Sequence, residues 1–268
     1  IDLALFAVGV VLHRGGILSG GRGAIAYRLG VFAGLFGSFA HLQYVLPTAR
    51  SVTVDADLVA LDMTVFGVEP ALAFDRFVTP ATTEWFSFFY FGYFVLLALF
   101  VFPFLFAAKN MKRLSEIALG IVLIFSIGHV LYMVVPGHGP YIHLSDRFTH
   151  TLDGPLWWRL VKTTVDSVDI TSRTDIFPSL HTAAPTYLAL FSFRHRREPL
   201  FRFVWLPTAL FASQIVISTM FLRWHYLIDV CAGLALASIV SVVAHRVSTR
   251  EHENRAMTNR DPVWTTFL

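Results

Sequence analysis

Long apolar segments dominate this sequence and limit the folds that it can adopt. A helix needs roughly 20 consecutive apolar residues to cross the hydrocarbon core of a bilayer, and every backbone polar group inside that core must be bonded within the protein. The sequence therefore predicts an all-α polytopic membrane bundle with a six-helix core, of which the fourth helix is short. The six predicted spans are Ala24–Leu46, Trp85–Ala107, Leu114–Val135, Leu180–Phe193, Phe203–Leu222 and Tyr226–Ala244.

Composition supports a single integral membrane domain. Hydrophobic residues make up 55% of the 268 residues, and charged residues make up only 15%. We expect one domain over residues 1–268, with its core at 24–245, a partial or additional N-terminal segment at 1–23 and a tail at 246–268. Acidic and apolar residues are mixed at near-helical spacing between Asp55 and Phe77, which predicts short helices at the membrane interface in the first outer loop.

Basic residues in the connections predict the orientation of the bundle. They occur before the first span, between the second and third, between the fourth and fifth, and after the sixth. The excess of lysine and arginine in cytoplasmic loops places these connections in the cytoplasm. The remaining loops then face the extracytoplasmic side, and we expect the plasma membrane as the location. Since this bias explains the net charge of +3, nothing indicates a nucleic-acid partner.

Two polar residues at the start of the sixth apolar segment could form a nucleophile. His225 and Asp229 are four residues apart, and residues with this spacing share one face of a helix. A carboxylate that accepts a hydrogen bond from one imidazole nitrogen fixes the tautomer and leaves the other nitrogen free to attack. A buried His–Asp bridge that only satisfies two polar groups explains this pair equally well.

A second motif at the same membrane level favours the catalytic interpretation. His181 follows Pro178-Ser179-Leu180 at the outer start of the fourth span, and Ser179 is a candidate helix N-cap. Helix N-termini attract oxyanions, and Arg223 adds a permanent cation beside His225. These residues suit phosphoryl transfer through a phosphohistidine on His225, with His181 as the proton donor. The scheme needs neither a metal ion nor a cofactor.

These motifs resemble those of a known superfamily. Phe177–His181 and Ser218–Val230 are similar to the second and third signature motifs of the type 2 phosphatidic acid phosphatase superfamily. Asp62–Pro70 and Pro136–Tyr141 are similar to the interfacial-helix and Gly-Pro loop segments of its inositol phosphorylceramide synthase branch. The resemblance covers most of Ala24–Ala244. It implies a six-helix core and an outward-facing site.

The resemblance also implies the roles of individual residues. His225 corresponds to the nucleophile, Asp229 to its partner and His181 to the acid. The first superfamily motif, a lysine followed at a distance by Arg-Pro, has no counterpart, so the basic residues that precede His181 become candidate phosphate ligands. The candidate phosphate ligands are thus Arg223, Ser179, Lys162 and Arg173, and the candidate pocket residues in the Gly-Pro loop are His138 and Tyr141.

The favoured function is a membrane lipid phosphotransferase or phosphatase, with a preference for transfer of an inositol-phosphate type headgroup. Its partners would be the bilayer, a phospholipid or lipid phosphate and, for a transferase, a hydroxyl-bearing lipid acceptor. One alternative is a simple phosphatase acting on phosphatidic acid or polyprenyl phosphate. A second is a proton-coupled transporter that uses His181, His225 and Asp229 as a relay. A third is a zinc site of the same three residues, although Arg223 would repel the dication.

Overall fold

The computed structural model describes residues 20–49, 52–106, 110–166 and 174–260. Within these ranges the chain forms ten α-helices and two single turns of 3₁₀-helix, at Asp75–Phe77 and Ser145–Arg147, and no strand. The predicted all-α fold is therefore confirmed. Helices α1 to α10 are, in chain order, Gly20–Ala49, Asp55–Phe66, Pro70–Phe74, Pro80–Phe106, Met111–Val134, Pro140–His143, Trp157–Asp166, Leu180–Arg194, Pro199–Phe221 and Leu227–Met257.

Four of these helices are long and apolar enough to cross a membrane: α4, α5, α9 and α10. The apolar stretch within α1, Gly23–Phe39, is shorter, and α8 has only 15 residues. The chain is thus an integral membrane protein, but a core of six spans is not confirmed. Residues 1–19 and 261–268, which belong to the predicted N-terminal segment and tail, lie outside the described residues.

Helix α8 lies at the centre of the bundle, where it contacts α4, α5, α9 and α10. The side chains of Tyr187, Leu188 and Phe191 on this helix are fully buried. The Tyr187 hydroxyl donates a hydrogen bond of 2.7 Å to the backbone carbonyl of Glu116 on α5. A Cβ at Gly120 would lie 2.0 Å from the Tyr187 ring, so this packing requires a glycine on α5. The central position of α8 holds its N-terminus, with Ser179 and His181, inside the protein.

Short helices cover the end of the bundle at which α8 and α10 begin. Helix α2 contacts α10, α3 contacts α9, and α7 contacts α4. Helices α2 and α3 lie in the loop for which the sequence predicts short helices, and the structure confirms that they form. Together with α6 and α7 they enclose the turn between α9 and α10, which carries His225.

The backbone of α10 passes very close to the start of α8. A Cβ at Gly233 would lie 2.6 Å from the Ser179 carbonyl oxygen and 3.0 Å from the Cβ of Thr182. Both neighbours are rigid, because one is backbone and the other is the first atom of a buried side chain. Gly233 therefore sets the distance between the two helices that carry the candidate catalytic residues.

We expect Gly233→Ala to force α10 away from α8 and to destabilise the protein by about 1 to 3 kcal/mol, the usual range for overpacking a core. Thermal unfolding of the detergent-solubilised protein measures this change. Ser238→Ala, at an exposed position of the same helix, is the control and should leave the melting temperature unchanged. Equal melting temperatures for Gly233→Ala and the unsubstituted protein would contradict the prediction.

Candidate active site

A cavity of about 160 Å³ lies where α8 and α10 begin. Most of its wall is aromatic or aliphatic and comes from α1, α4, α5 and α8. Four side chains that can carry charge also line it: His138, Asp175, His181 and His225. The two histidines of the predicted catalytic pair therefore open into one cavity, although 44 positions of sequence separate them.

His181 is held by stacking on aromatic rings. It is the second residue of α8, and its ring lies parallel to that of Tyr90, with the ring centres 4.4 Å apart and an angle of 8° between planes. The Tyr93 ring packs against it at 4.2 Å. Within the described part of the chain the Nε2 atom of His181 is buried without a hydrogen-bond partner. One ring nitrogen is thus available to a ligand in the cavity.

Ser179 is the N-cap of α8, as the sequence predicts. Its side-chain oxygen accepts a hydrogen bond of 3.2 Å from the backbone N–H of Thr182, and its own N–H donates to the Asp229 carbonyl oxygen at 3.1 Å. Ser179 is fully buried and does not line the cavity. The serine therefore joins the start of α8 to the start of α10, and its role as a phosphate ligand stays a prediction.

His225 lies just before a helix and not on one, so the assumption that His225 and Asp229 share a helix face was wrong. Helix α10 begins at Leu227, and the backbone N–H of His225 donates to the carbonyl oxygen of Thr219 at 3.2 Å. Asp229 nevertheless reaches the histidine, because the carboxylate at the third position of the helix turns back towards the N-cap, Tyr226.

The distance between His225 Nδ1 and Asp229 Oδ2 is 3.5 Å. This is close enough for electrostatic contact but longer than a good hydrogen bond. The same carboxylate oxygen accepts a hydrogen bond of 3.0 Å from the Tyr226 N–H. Within the described residues Nδ1 of His225 has no hydrogen-bond partner, and the backbone carbonyl of Ile176 acts on the ring as a second acceptor that raises its pKa. Two acceptors, one carboxylate and one carbonyl, thus surround the imidazole.

Burial keeps His225 in its neutral form. Loss of solvent lowers the pKa of His225 to about 4, although the charge of Asp175 and the Ile176 carbonyl act in the opposite direction. Burial disfavours the charged form of a histidine because the ion loses its hydration. At neutral pH the ring therefore keeps a lone pair on one nitrogen, as a nucleophile requires.

Arg223 does not line the cavity, and its role as a phosphate ligand stays a prediction. Its guanidinium donates to Asp75 at 2.8 Å and to the His150 carbonyl oxygen at 2.6 Å, and it lies over the Phe148 ring at 3.9 Å. Although burial raises the pKa of Asp75, hydrogen bonds from Thr149 and His150 and the charge of Arg223 lower it to about 2. Arg223 is therefore neutralised by a buried carboxylate and does not line the cavity.

The remaining candidate residues do not all line the cavity. His138 lines the cavity, whereas Tyr141 does not, because its ring stacks on Trp224 with centres 4.8 Å apart. Lys162 lies on α7, where its ammonium group forms an ion pair with Asp166 at 2.6 Å. Arg173 lies outside the described residues. The predicted phosphate ligands are thus not assembled around the cavity within the described ranges.

Two carboxylates that the sequence analysis did not single out hold the site together. Asp62 on α2 accepts hydrogen bonds from the backbone N–H groups of Leu227 and Ile228 at 2.7 and 2.8 Å. These groups belong to the first turn of α10, which has no partners for them within the helix. Asp62 is fully buried and therefore fixes the start of the helix that follows His225.

Asp55 performs the same task for the Gly-Pro loop. It lies seven residues before Asp62, on the same face of α2, and is also buried. Its carboxylate accepts from the N–H groups of His138 and Gly139 at 3.0 and 2.9 Å and from the Tyr226 hydroxyl at 2.9 Å. The signal in the sequence is a pair of acids two helical turns apart in an apolar helix, where a carboxylate without a partner would be costly.

A third acid lies beside this pair. Burial raises the pKa of Glu69 to about 8, and the nearby charges of Asp62 and Asp229 act in the same direction. Glu69 is therefore mostly protonated at neutral pH, which relieves the repulsion among the buried carboxyl groups of Glu69, Asp62 and Asp229. Within the described ranges no group of three or more histidine, cysteine or acidic residues is arranged to hold a metal ion.

The fold and the site together define a helical membrane protein with two histidines from separate segments in one cavity. Comparison with protein families gives the same class. A model of the PAP2 superfamily matches residues 56–243, which is more than half of the chain and includes both histidine motifs. The chain belongs to the PAP2 superfamily, whose members are phosphatases or phosphotransferases. Neither a curated protein nor a solved structure matches the chain.

The superfamily indicated by the motifs is thus confirmed, whereas its inositol phosphorylceramide synthase branch is not. Membership supports an enzyme that acts on lipid phosphates as a phosphatase or phosphotransferase. The individual roles of His225, His181 and Asp229 stay predictions.

We expect Asp62→Asn to loosen the first turn of α10, because the neutral amide is a weaker acceptor for the Leu227 and Ile228 N–H groups. Hydrogen exchange should accelerate in the peptide around residues 226–230, and the protein should lose about 1 to 3 kcal/mol of stability. Asp57→Asn, at an exposed position of the same helix, is the control. Unchanged exchange in the Asp62→Asn protein would show that the carboxylate does not hold the turn.

Proposed function

We propose that the protein is a lipid phosphotransferase or phosphatase that works through a phosphohistidine on His225. The observation that carries the proposal is that His181 and His225 line one cavity, with the Asp229 carboxylate 3.5 Å from the His225 ring. Membership of the PAP2 superfamily supports the same class of reaction. The proposal concerns the chemistry of this site and the substrates that reach it.

In the first step the neutral imidazole of His225 attacks phosphorus. An N–H on Nδ1 that is directed at Asp229 leaves the other ring nitrogen with its lone pair. The bond from phosphorus to the leaving oxygen breaks, and His181, which enters this step as the imidazolium, gives its proton to this oxygen and becomes neutral. The charge that develops on His225 is balanced by the buried carboxylate beside it.

In the second step water or the hydroxyl group of an acceptor lipid attacks the phosphohistidine, and His181 now removes the proton of the attacking oxygen. Water yields free phosphate, whereas a lipid hydroxyl yields a new phosphodiester if the transferred group carries a headgroup. Both alternatives use the same residues. We favour transfer of an inositol-phosphate type headgroup, since the Gly-Pro loop and the acidic segment Asp62–Pro70 resemble those of the corresponding branch.

The cavity wall is consistent with a lipid substrate. Its aromatic and aliphatic residues extend from the two histidines towards α1, α4 and α5, where Phe39, Leu97 and Phe125 contribute. Apolar lining of this kind suits an acyl or polyprenyl chain that follows the phosphate. The basic connections at the opposite ends of the helices support a site on the extracytoplasmic side, as in the sequence-based orientation.

We expect His225→Ala and His181→Ala to lower kcat by about 100-fold or more without unfolding the protein, because each removes a group that acts in both steps. The assay follows release of labelled phosphate or headgroup from lipid substrates. Labelled phosphate trapped on the enzyme should map to His225 and disappear in His225→Ala. His143→Ala, which removes an exposed histidine of the neighbouring loop, is the control. A label retained in His225→Ala would refute the proposed nucleophile.

The pH dependence of kcat/KM follows from the protonation state of His225. Because burial lowers its pKa to about 4, the nucleophile loses its lone pair only when the pH falls through that value. The acidic limb of kcat/KM, which reports groups of the free enzyme, should therefore lie near pH 4. An acidic limb near pH 6.5, the ordinary value for histidine, would indicate a solvated imidazole and contradict the buried geometry.

Product analysis distinguishes the transferase from the phosphatase. The purified protein is incubated with labelled phosphatidylinositol, phosphatidic acid or a polyprenyl phosphate, each with and without ceramide or diacylglycerol. A new phosphodiester that forms only in the presence of the acceptor is the expected result. Release of free phosphate from phosphatidic acid or polyprenyl phosphate, with no acceptor product, would overturn the transferase and leave the phosphatase.

A further inference from the structure

A second pocket lies at the opposite end of the bundle from the histidines. Its volume is about 180 Å³, and it is bounded by the first turns of α5 and the last turns of α10. Ser248, which lines it, lies roughly 30 Å further along α10 than the turn that carries His225. The pocket is thus separate from the catalytic cavity, and no residue lines both.

The charge of this pocket is positive. Lys112, Arg255 and Arg260 line it, with Glu251 as the only acid among its lining residues. Glu251 forms an ion pair with Arg255, which leaves two cations in excess. Within the described part of the chain neither Lys112 nor Arg260 forms an ion pair. A pocket with two uncompensated cations favours an anionic ligand.

The neighbouring Arg113 shows that basic side chains at this end of the bundle are not all left without an ion pair. Arg113, the next residue after Lys112, turns to the other side and forms an ion pair with Glu198. The chain therefore neutralises one basic side chain of this turn and leaves the adjacent one directed at the pocket. The pocket also faces the first turn of α5, whose dipole contributes partial positive charge.

The buried hydroxyl group of Ser248 is an independent indication that this pocket binds a ligand. Ser248 is 3% exposed, and within the described residues its Oγ has no hydrogen-bond partner. A buried hydroxyl without a partner is unfavourable, and most hydroxyl groups on helices avoid this by donating to a backbone carbonyl, as Ser238 does on the same helix. Ser115 lines the facing wall. A ligand oxygen in the pocket would satisfy the Ser248 hydroxyl.

We infer that this pocket binds a phosphate group. Lys112 and Arg260 would neutralise its charge, and the Ser248 hydroxyl would donate to one of its oxygens. The positive connections place this end of the bundle in the cytoplasm, so the phosphate belongs either to an anionic lipid headgroup of that leaflet or to a soluble phosphate. This site does not depend on the chemistry proposed for His225.

The test measures binding to the full chain in zwitterionic nanodiscs, with His225→Ala as the background so that no phosphohistidine can form. The two probes are inorganic phosphate and a short-chain phosphatidylglycerol, and a short-chain phosphatidylcholine is the neutral reference. We expect saturable binding of at least one anionic probe. Saturation by inorganic phosphate would identify a soluble ligand, whereas saturation by phosphatidylglycerol alone would identify a lipid headgroup.

Substitutions of lining residues test whether the anionic probe binds in this pocket. Lys112→Ala combined with Arg260→Ala should raise Kd about 10-fold or more, because two charged donors are lost. The matched control combines Arg246→Ala with Arg250→Ala, which removes the same charge from exposed positions of α10 outside the pocket. This control should leave Kd within about twofold.

Ser248→Ala is a second variant that keeps the charge unchanged, and it should raise Kd by about 3- to 10-fold through loss of one hydrogen bond. Equal weakening in the arginine control, or no effect of Ser248→Ala, would show non-specific attraction and overturn the proposal. Absence of saturable binding for both anionic probes would also overturn it. Size-exclusion profiles of each variant establish that the folded protein is compared throughout.

Discussion

Hydrogen bonds from backbone amides to buried carboxylates hold the candidate site together. Asp62 accepts from the first turn of α10, and Asp55 accepts from the Gly-Pro loop and from the Tyr226 hydroxyl. Both acids belong to one face of α2, so a single short helix aligns two segments that are far apart in sequence. Charged acceptors make stronger hydrogen bonds than neutral ones in a medium of low dielectric constant. The position of His225 therefore depends on a helix that contributes no side chain to the cavity.

The same low dielectric medium determines the protonation of the site. It keeps His225 neutral and Glu69 mostly protonated at pH 7, while Arg223 is compensated by Asp75. The cavity thus contains few fixed positive charges among the described residues, and its polar groups are imidazoles, tyrosines and Asp175. A phosphate in such a site would be bound through neutral donors and through the proton that His181 gives to the leaving oxygen. This differs from the arginine-based site that the sequence predicts.

Much of the fold could be predicted because a helix that crosses a membrane needs a long apolar segment. The runs at α4, α5, α9 and α10 identify the long helices, and the two histidine motifs identify the residues that share the cavity. The local geometry could not be predicted in the same way. The spacing of His225 and Asp229 indicates a shared helix face, yet the helix begins between them. The charge of Arg223 suggests a phosphate ligand, but the sequence does not reveal that Asp75, far away along the chain, is the partner of its side chain. Such partners depend on tertiary contacts, which a single sequence does not contain.

The aromatic clamp on His181 has a consequence for the shape of any substrate. Tyr90 covers one face of the imidazole in nearly parallel contact, and Tyr93 packs against the same ring. Hydrogen bonds to an imidazole lie in the plane of the ring, so an oxygen can reach Nε2 only along the open rim. The rings of Tyr90 and Tyr93 would therefore limit the bulk of any group that carries this oxygen. The choice of substrate would then depend on steric access to the Nε2 edge of the fixed His181 ring.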